Sequence, residues 1–492
     1  MKRTKILDRA AITRREMMKA AGGCAALTNT SLLSTLFQLS ATNTAVAQSN
    51  NLGGYKAMVC LFLFGGNDSY NMLTPLTNGE RADYLTARGG EFAPGNGALG
   101  LPTSGLHSIT DSTSGRTFGV HPGMEEMKTL YDAGKLTFLC NVGSLVEPTT
   151  MDQYRSQANL PLGLFSHADL QRHWMTSVPQ TRSQVTGWAG RMADMVSGAT
   201  NSNENISMNI SLNNVNMLQT GGSVVPYVIS DTGAREAAWY GLTWTQANIF
   251  TTLTDDVLSR SYGNLLEKTF AQQNRIALDA AIEFNEATEV VTDVDSHFPA
   301  EANATRLQNQ LRMVAKTIGA RQTLGQDRQI FFVSHNGWDN HDELIDNQQA
   351  NLSEISVGLK NFQDALDGMG LADNVVTFTA SDFARTLSSN GMGSDHAWGG
   401  NQIIMGGGVS GGQIHGHYPT SLTNPTAPPE FESEFDLNTG RGRLIPTTSV
   451  DEMAAELAMW YGVANDNNME QILPNIRNFH SAGGSKPIGF LS

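Results

Sequence analysis

At 492 residues the chain is long enough for a large α/β domain with insertions, or for two domains, and its 49 glycines favour many loops over a helical bundle. A formal net charge of −15 argues against general nucleic-acid binding. Three cysteines are too few for a disulfide framework, and Cys60 and Cys140 both lie in apolar, strand-like runs where buried thiols are expected, with a single disulfide as the alternative.

The N-terminus reads as an export signal rather than as part of the fold. Thr13-Arg14-Arg15-Glu16-Met17-Met18-Lys19 resembles a twin-arginine motif, a weakly apolar stretch follows from Ala20 to Leu39, and Ala45-Val46-Ala47 supplies an A-x-A cleavage site. Residues 1–47 hold seven Lys/Arg and two Asp/Glu, so their removal would take the charge from −15 to −20. No later run of 18 or more apolar residues occurs. The mature chain, 48–492, is therefore expected to lack a transmembrane segment and to be periplasmic or secreted by the twin-arginine route.

After a short linker the first buried strand, Met58 to Phe64, runs into Gly65-Gly66-Asn67-Asp68, where two glycines allow a sharp turn. Residues 78–118 are rich in Gly, Ser and Thr and read as a long surface excursion. Val120-His121-Pro122-Gly123 opens a helix, Met124 to Ala133, and Leu136 to Val142 makes a second buried strand. Ser166 is placed to cap a short helix through Trp174, Gly187 to Val196 is another helix, and Ile206 to Leu212 and Val224 to Ile229 are strand-like. Across 232–327, long amphipathic runs (Asp255 to Val291, Glu301 to Ile318) interrupt the strand rhythm and read as a helical insertion. There follow the strand Gln329 to Val333, a helix from Asn347 to Met369, the strand Val375 to Thr379, and the apolar run Gln402 to Met405. After a loop over 418–445, Ser449 and Glu452 open a last helix through Trp460 as a capping box. The alternation predicts an α/β fold: a doubly wound, mostly parallel sheet flanked by helices.

Three buried strands end in acids or histidines. Asp68 follows the first; His335, Asp339 and His341 follow the second; Ser381, Asp382 and Arg385 follow the third, with Asp395-His396 beyond a Gly/Ser/Asn loop. Ligands of open α/β sheets sit outside the carboxyl ends of strands, so these residues predict one shared polar site. Each has a plainer rival. Asp68 could hold an Asx-turn, Asp339 and His341 could be a solvated loop pair, Asp382 and Arg385 a structural salt bridge, and Asp395-His396 flexible surface. Gly337, Trp338 and Trp398 argue instead for packed loops. Ser166 could be a helix cap alone, with His167 an alternative ligand or base. His121 packs or caps, and His415 and His417, either side of Gly416, read as exposed loop histidines. Gly406 to Gly408 is no phosphate loop, since no Gly-Lys-Ser/Thr follows, and no dinucleotide fingerprint or cysteine cluster points to redox chemistry.

Taken in order, LFLFGGNDSYN, FGVHPGMEEMKTLYDAGKL, FSHADLQRHW, GWDNHDELIDNQ, VTFTASDFARTL, GSDHAWGG and GRGRLIPTTSVDEMAAELAMWYGV resemble the bacterial exported family known as domain of unknown function 1501. The resemblance covers nearly the whole mature chain. That family is similar to the alkaline phosphatase and sulfatase superfamily, which implies an alkaline-phosphatase-like core with a metal site at the strand ends. It further implies that Asp68, Asp339, His341, Asp382, Asp395 and His396 are metal ligands and that Ser166 stands where the superfamily places its nucleophile. Three departures bear on the ligand set. Asp339 and His341 are two apart rather than four; Asp395-His396 comes thirteen residues after Asp382 rather than ending the strand. Asp382 and Ala384 stand where the family commonly shows Glu and Gly.

Asp and neutral His suit Zn²⁺ or Mn²⁺, one or two ions, and paired ions clamp the attacking and leaving oxygens of a phosphoryl or sulfuryl group. Arg385 could grip substrate oxygens in a fork, and Ser166, at a helix start, could attack in line. The expected function is an exported metal-dependent hydrolase of phosphate or sulfate esters, acting on a small anionic ester. The alternative is a cell-envelope binding or assembly protein that keeps the fold without turnover.

Overall fold

The structure is a computed structural model that describes residues 52–236, 240, 242–423 and 441–492; the expected export signal and the middle of the expected 418–445 loop lie outside the described residues. In chain order the strands are β1 (Lys56–Leu63), β2 (Leu73–Pro75), β3 (His107–Thr110), β4 (Thr117–Val120), β5 (Leu136–Gly143), β6 (Asn209–Ser211), β7 (Tyr227–Val228), β8 (Arg328–His335), β9 (Val375–Ser381), β10 (Gly400–Gly406), β11 (Ile414–Gly416) and β12 (Thr448–Ser449). β2, β4 and β3 form a small antiparallel sheet. The rest form a nine-stranded sheet in the order β11-β5-β10-β9-β1-β8-β6-β7, with β12 also on β5. β10 runs antiparallel to both its neighbours, and every other pairing in this sheet is parallel.

β1 is central because it is apolar on both faces. Val59, Leu61 and Leu63 enter one core, shared with the helices Glu125–Asp132, Arg306–Gly319 and Leu344–Gly368. Met58, Cys60 and Phe62 enter the other, shared with Trp188–Thr200 and Val450–Tyr461. A parallel strand covered on both sides needs such an unbroken run. The chain is thus a doubly wound α/β protein.

Local chemistry sets the helix limits. Ser449 and Glu452 form the expected capping box, and Thr305 with Gln308 forms another. The single helix expected over Asp255 to Val291 is two, Thr245–Ser259 and Leu265–Glu289, because Asn264 caps the second by accepting from the Leu266 and Glu267 amides. Within the expected helical insertion, Arg306–Gly319 is a core crossover helix that leads into β8, with Leu307, Leu311, Val314 and Ile318 buried. Nor is 78–118 merely a surface excursion. It contains the helix Asn78–Ala87, β3 and the first half of β4, and it delivers the fully buried Arg88.

Two glycines join β1 to its neighbours. Gly65 (φ +120°) has no room for a Cβ against the Asp339 backbone nitrogen, and Gly66 (φ +89°) none against the Phe383 ring. Gly54 (φ +77°) shares the left-handed backbone but faces open space. Gly54→Ala should therefore cost only the backbone strain, about 1–2 kcal/mol, and Gly65→Ala distinctly more, because a clash is added. Denaturant unfolding of the two variants checks this; equal losses would mean that the Asp339 loop simply moves aside.

Candidate metal centre

β1 lies between β8 and β9, so the chain leaves the central strand with parallel neighbours on either side, and the crevice of the fold opens at their carboxyl ends. Three loops meet there. Ser381 closes β9 onto β1 by donating to the Leu63 carbonyl (2.8 Å) and accepting from the Asn67 amide (2.9 Å). After β8, Gly337 (φ +92°) turns the chain and Trp338 is buried, its Nε1 donating to His335 Nδ1 (3.1 Å), which fixes Asp339 and His341 in the crevice. After β9, residues 384–386 pair with 395–398: the Ala384 amide donates to Trp398 O, Ala397 to Ala384 O and Thr386 to Asp395 O. The buried Trp398 anchors this loop by donating to the Ser144 carbonyl (2.9 Å). Ser166 caps the helix His167–Thr176, which brings His167 to the same place.

The imidazoles are ordered in one way. His167 Nδ1 lies 2.7 Å from Asp382 Oδ2, His341 Nδ1 2.9 Å from Asp395 Oδ1, and His396 Nδ1 2.7 Å from the Phe165 carbonyl. Against such acceptors each Nδ1 carries the proton, so in the neutral ring each Nε2 lone pair is free. All three Nε2 atoms turn toward Asp339: His167 at 3.5 Å from Oδ2, His341 at 3.1 Å and His396 at 3.3 Å from Oδ1. His341 and His396 Nε2 are 3.1 Å apart, too close for comfort without a shared proton or cation between them. His167, Asp339 and His396 offer one ligand atom each within 4.8 Å of one another. Two imidazole nitrogens and a carboxylate, with the His341 nitrogen beside them and each imidazole steadied by an acceptor behind it, make a donor set that fits Zn²⁺ or Mn²⁺.

Charge is distributed in pairs around this cluster. Both terminal nitrogens of buried Arg385 donate to Asp339 Oδ1 (2.9 and 3.0 Å), Arg88 pairs with Asp68, and Arg441 pairs with Asp395. Burial raises the Asp339 pKa, but the Arg385 fork overrides it and holds the carboxyl below the usual range. Arg385 is itself lowered by burial, against the pull of Asp339. The Asp382 hydrogen bond lifts His167 above the ordinary histidine value despite burial, whereas burial holds His396 below it, helped by the nearby His167 and Arg385.

Asp339, His341, Asp382, Asp395, His396 and Arg385 come together, but in two layers. The Asp382 and Asp395 carboxylates are turned to histidines behind the cluster, Asp382 also accepting from Gln171 Nε2 (2.8 Å). Asp68 is buried at the same crevice with its carboxylate on Arg88, and its Oδ1 has no hydrogen-bond partner. The Ser166 hydroxyl accepts from the Asp169 amide at 3.5 Å as a helix cap. The sequence alone does not single out Gln171 or Arg88. Gln171 was within reach, since it stands four residues after His167 on the same helical face. Outside the centre, His121 caps a turn by accepting from the Gly123 amide (3.1 Å). His415 lies half-buried in β11 rather than exposed in a loop, because it pairs with β5.

A family model described as a protein of unknown function (DUF1501) matches residues 55–457. No curated relative matches the sequence. Similar solved structures include Ps i-CgsB in complex with k-i-k-neocarrahexaose, at 8% identity over 87% of this chain and 77% of that one with a TM-score of 0.35. A mutant of the alkaline phosphatase PafA aligns at 12% identity over 68% and 64%, TM-score 0.28, and a 2-O GAG sulfatase at 9% over 88% and 76%, TM-score 0.29. At these identities and TM-scores the likeness says nothing of what this chain acts on.

The paired shifts give a titration to check. In the metal-free protein, NMR should place His167 above 6.5 and His396 below it, and Asp382→Asn should bring His167 down. A folded-state pKa raised above the unfolded value means that protonated His167 favours the fold. That stability is fully present below about 6.5 and is lost as pH rises through the raised pKa.

Proposed function

The chain belongs to the DUF1501 family, and from that premise and the geometry of the centre we propose that it is an exported metal-dependent hydrolase of phosphate or sulfate esters. The observation that carries this reading is the convergence of three Nε2 atoms on Asp339, with each Nδ1 committed to an acceptor behind it. His167, His341, His396 and Asp339 would hold the ion, while Asp382, Asp395 and the Phe165 carbonyl orient the imidazoles. A bound Zn²⁺ or Mn²⁺ supplies Lewis acidity toward a phosphoryl or sulfuryl oxygen and an activated nucleophile near neutral pH.

Electrostatics favour an anionic substrate. The carboxylates of Asp68, Asp339, Asp382 and Asp395 are matched by the guanidiniums of Arg88, Arg385, Arg441 and Arg443, four against four, so a divalent ion would leave the cluster net positive. Arg385, pre-oriented and stripped of water, would share its fork between Asp339 and the oxygens of a bound ester. Ser166 sits beside His167 at a helix start and would have to give up its cap to attack. That engagement favours a second reading: a cell-envelope binding protein that keeps the centre but does not turn over.

Metal analysis of the purified protein, wild type beside Asp339→Ala, tests the centre first. One bound ion per chain, lost in the variant, is expected, with Asp382→Asn weakening affinity by about 10–100-fold. Hydrolysis of 4-nitrophenyl phosphate or sulfate by the loaded wild type would follow. A loaded protein inert to both esters moves the weight to the binding reading. A protein that takes up no ion, and whose unfolding Zn²⁺ and Mn²⁺ leave unchanged, overturns both the centre and the hydrolase.

A further inference from the structure

The helix Thr245–Ser259 is built against the usual logic of a surface helix. Of its fifteen residues only Ala247 is buried, while Ile249 and Leu253, one turn apart, are 53% and 41% exposed. The helix Leu265–Glu289 anchors its later turns through Ala280, Ala281, Phe284 and Ala287, yet its first turns expose Leu265 (75%), Leu266 (79%) and Phe270 (53%). Trp244, just before the first helix, is 51% exposed. Arg275 bonds to Asp255, which sets the two helices antiparallel, so the apolar turns sit on one arm that extends from the anchored part.

A fifteen-residue helix that buries a single alanine has little of the tertiary packing that helices of this length need in water. Together these side chains expose on the order of 700 Å² of mostly apolar surface, close to the ~800 Å² that one partner of a standard interface buries. Charge narrows the occupant. Residues 245–275 contain three Asp/Glu and three Lys/Arg, net zero in a chain of −15. Two of the three cations are also paired within the arm, Arg260 with Asp256 and Arg275 with Asp255 and Asp279, which leaves Lys268 alone to meet a headgroup. No cationic face is left for anionic lipid, and repulsion between two copies of an acidic chain is weakest here.

We propose that this arm is a dimerisation surface, packing its exposed turns against the same arm of a second copy about a two-fold axis. A self-complementary surface needs the same residues twice, and i, i+4 apolar pairs on both helices of the arm supply them.

Sedimentation equilibrium of the whole chain at about 10 μM tests this, wild type beside Leu266→Glu and, on the other helix, Ile249→Glu. Wild type should sediment at twice the chain mass, and each variant should raise the dimer Kd at least about tenfold with unchanged helix content by circular dichroism. Glutamate in the first turn of a helix favours the helix, so Leu266→Glu should fold. A wild type that stays monomeric to about 0.1 mM overturns the proposal, as does a dimer that neither variant weakens. Monomeric wild type that pellets with phosphatidylcholine vesicles, and is released by Leu266→Glu, gives the arm to a lipid surface and overturns it too.

Discussion

Everything in the crevice is arranged around the Asp339 carboxylate. It receives the Arg385 fork on one oxygen and stands within 3.5 Å of three imidazole nitrogens, one from its own loop and two from other stretches of chain. A partly buried carboxylate so placed must be compensated, and Arg385 compensates it only in part, because the imidazoles offer lone pairs rather than protons. The geometry is held from below by an absence. Because Gly65 lacks a Cβ, the end of the central strand lies directly against the Asp339 backbone. Position, charge and tautomer are thus set by different parts of the sequence that meet at one side chain.

Much of this was legible before the fold. MVCLFLF and QIFFV read as strands because both faces of β1 and β8 are buried, and their abrupt polar ends marked the crevice. Capping boxes and cap residues fixed helix starts at Ser166 and Ser449. What remained hidden shares a physical cause: it depends on partners distant in sequence. An aspartate at the middle of a histidine cluster and one that steadies a histidine from behind look alike in a string of letters, and Asp382 and Asp395 differ from Asp339 only in where their oxygens point. Arg88 sits in a glycine-rich stretch that resembles surface, and nothing local predicts that it reaches Asp68 in the interior. The break at Asn264 was readable in principle, but a long apolar period hid it.

The crevice is also where the fold tolerates imperfection. Asp68 Oδ1, Asp382 Oδ1 and the Arg385 Nε are buried without a hydrogen-bond partner, whereas the backbone groups of the strands below are paired in the ladder. Unsatisfied polar atoms are costly, and native proteins concentrate them where something other than stability is being maintained. Rigidity is supplied nearby, by the tryptophans at 338 and 398 that lock the two ligand loops into the core.

The pairing of β1 with β8 and β9 has a further consequence, in time rather than in space. Lys56 lies beside Arg328 and Ala57 beside Val375, so the central ladder joins the beginning of the chain to segments made long after it. Such long closures slow folding, and the loops of the crevice are all present only once the chain has been made past His396. The four side chains therefore meet only when synthesis is nearly done and folding nearly complete. Divalent ions compete for nitrogen and oxygen ligands in a fixed order of affinity, and proteins escape that order mainly through which ions are at hand. If the centre takes an ion, the compartment in which β9 pairs with β1, more than the ligands themselves, would decide which one.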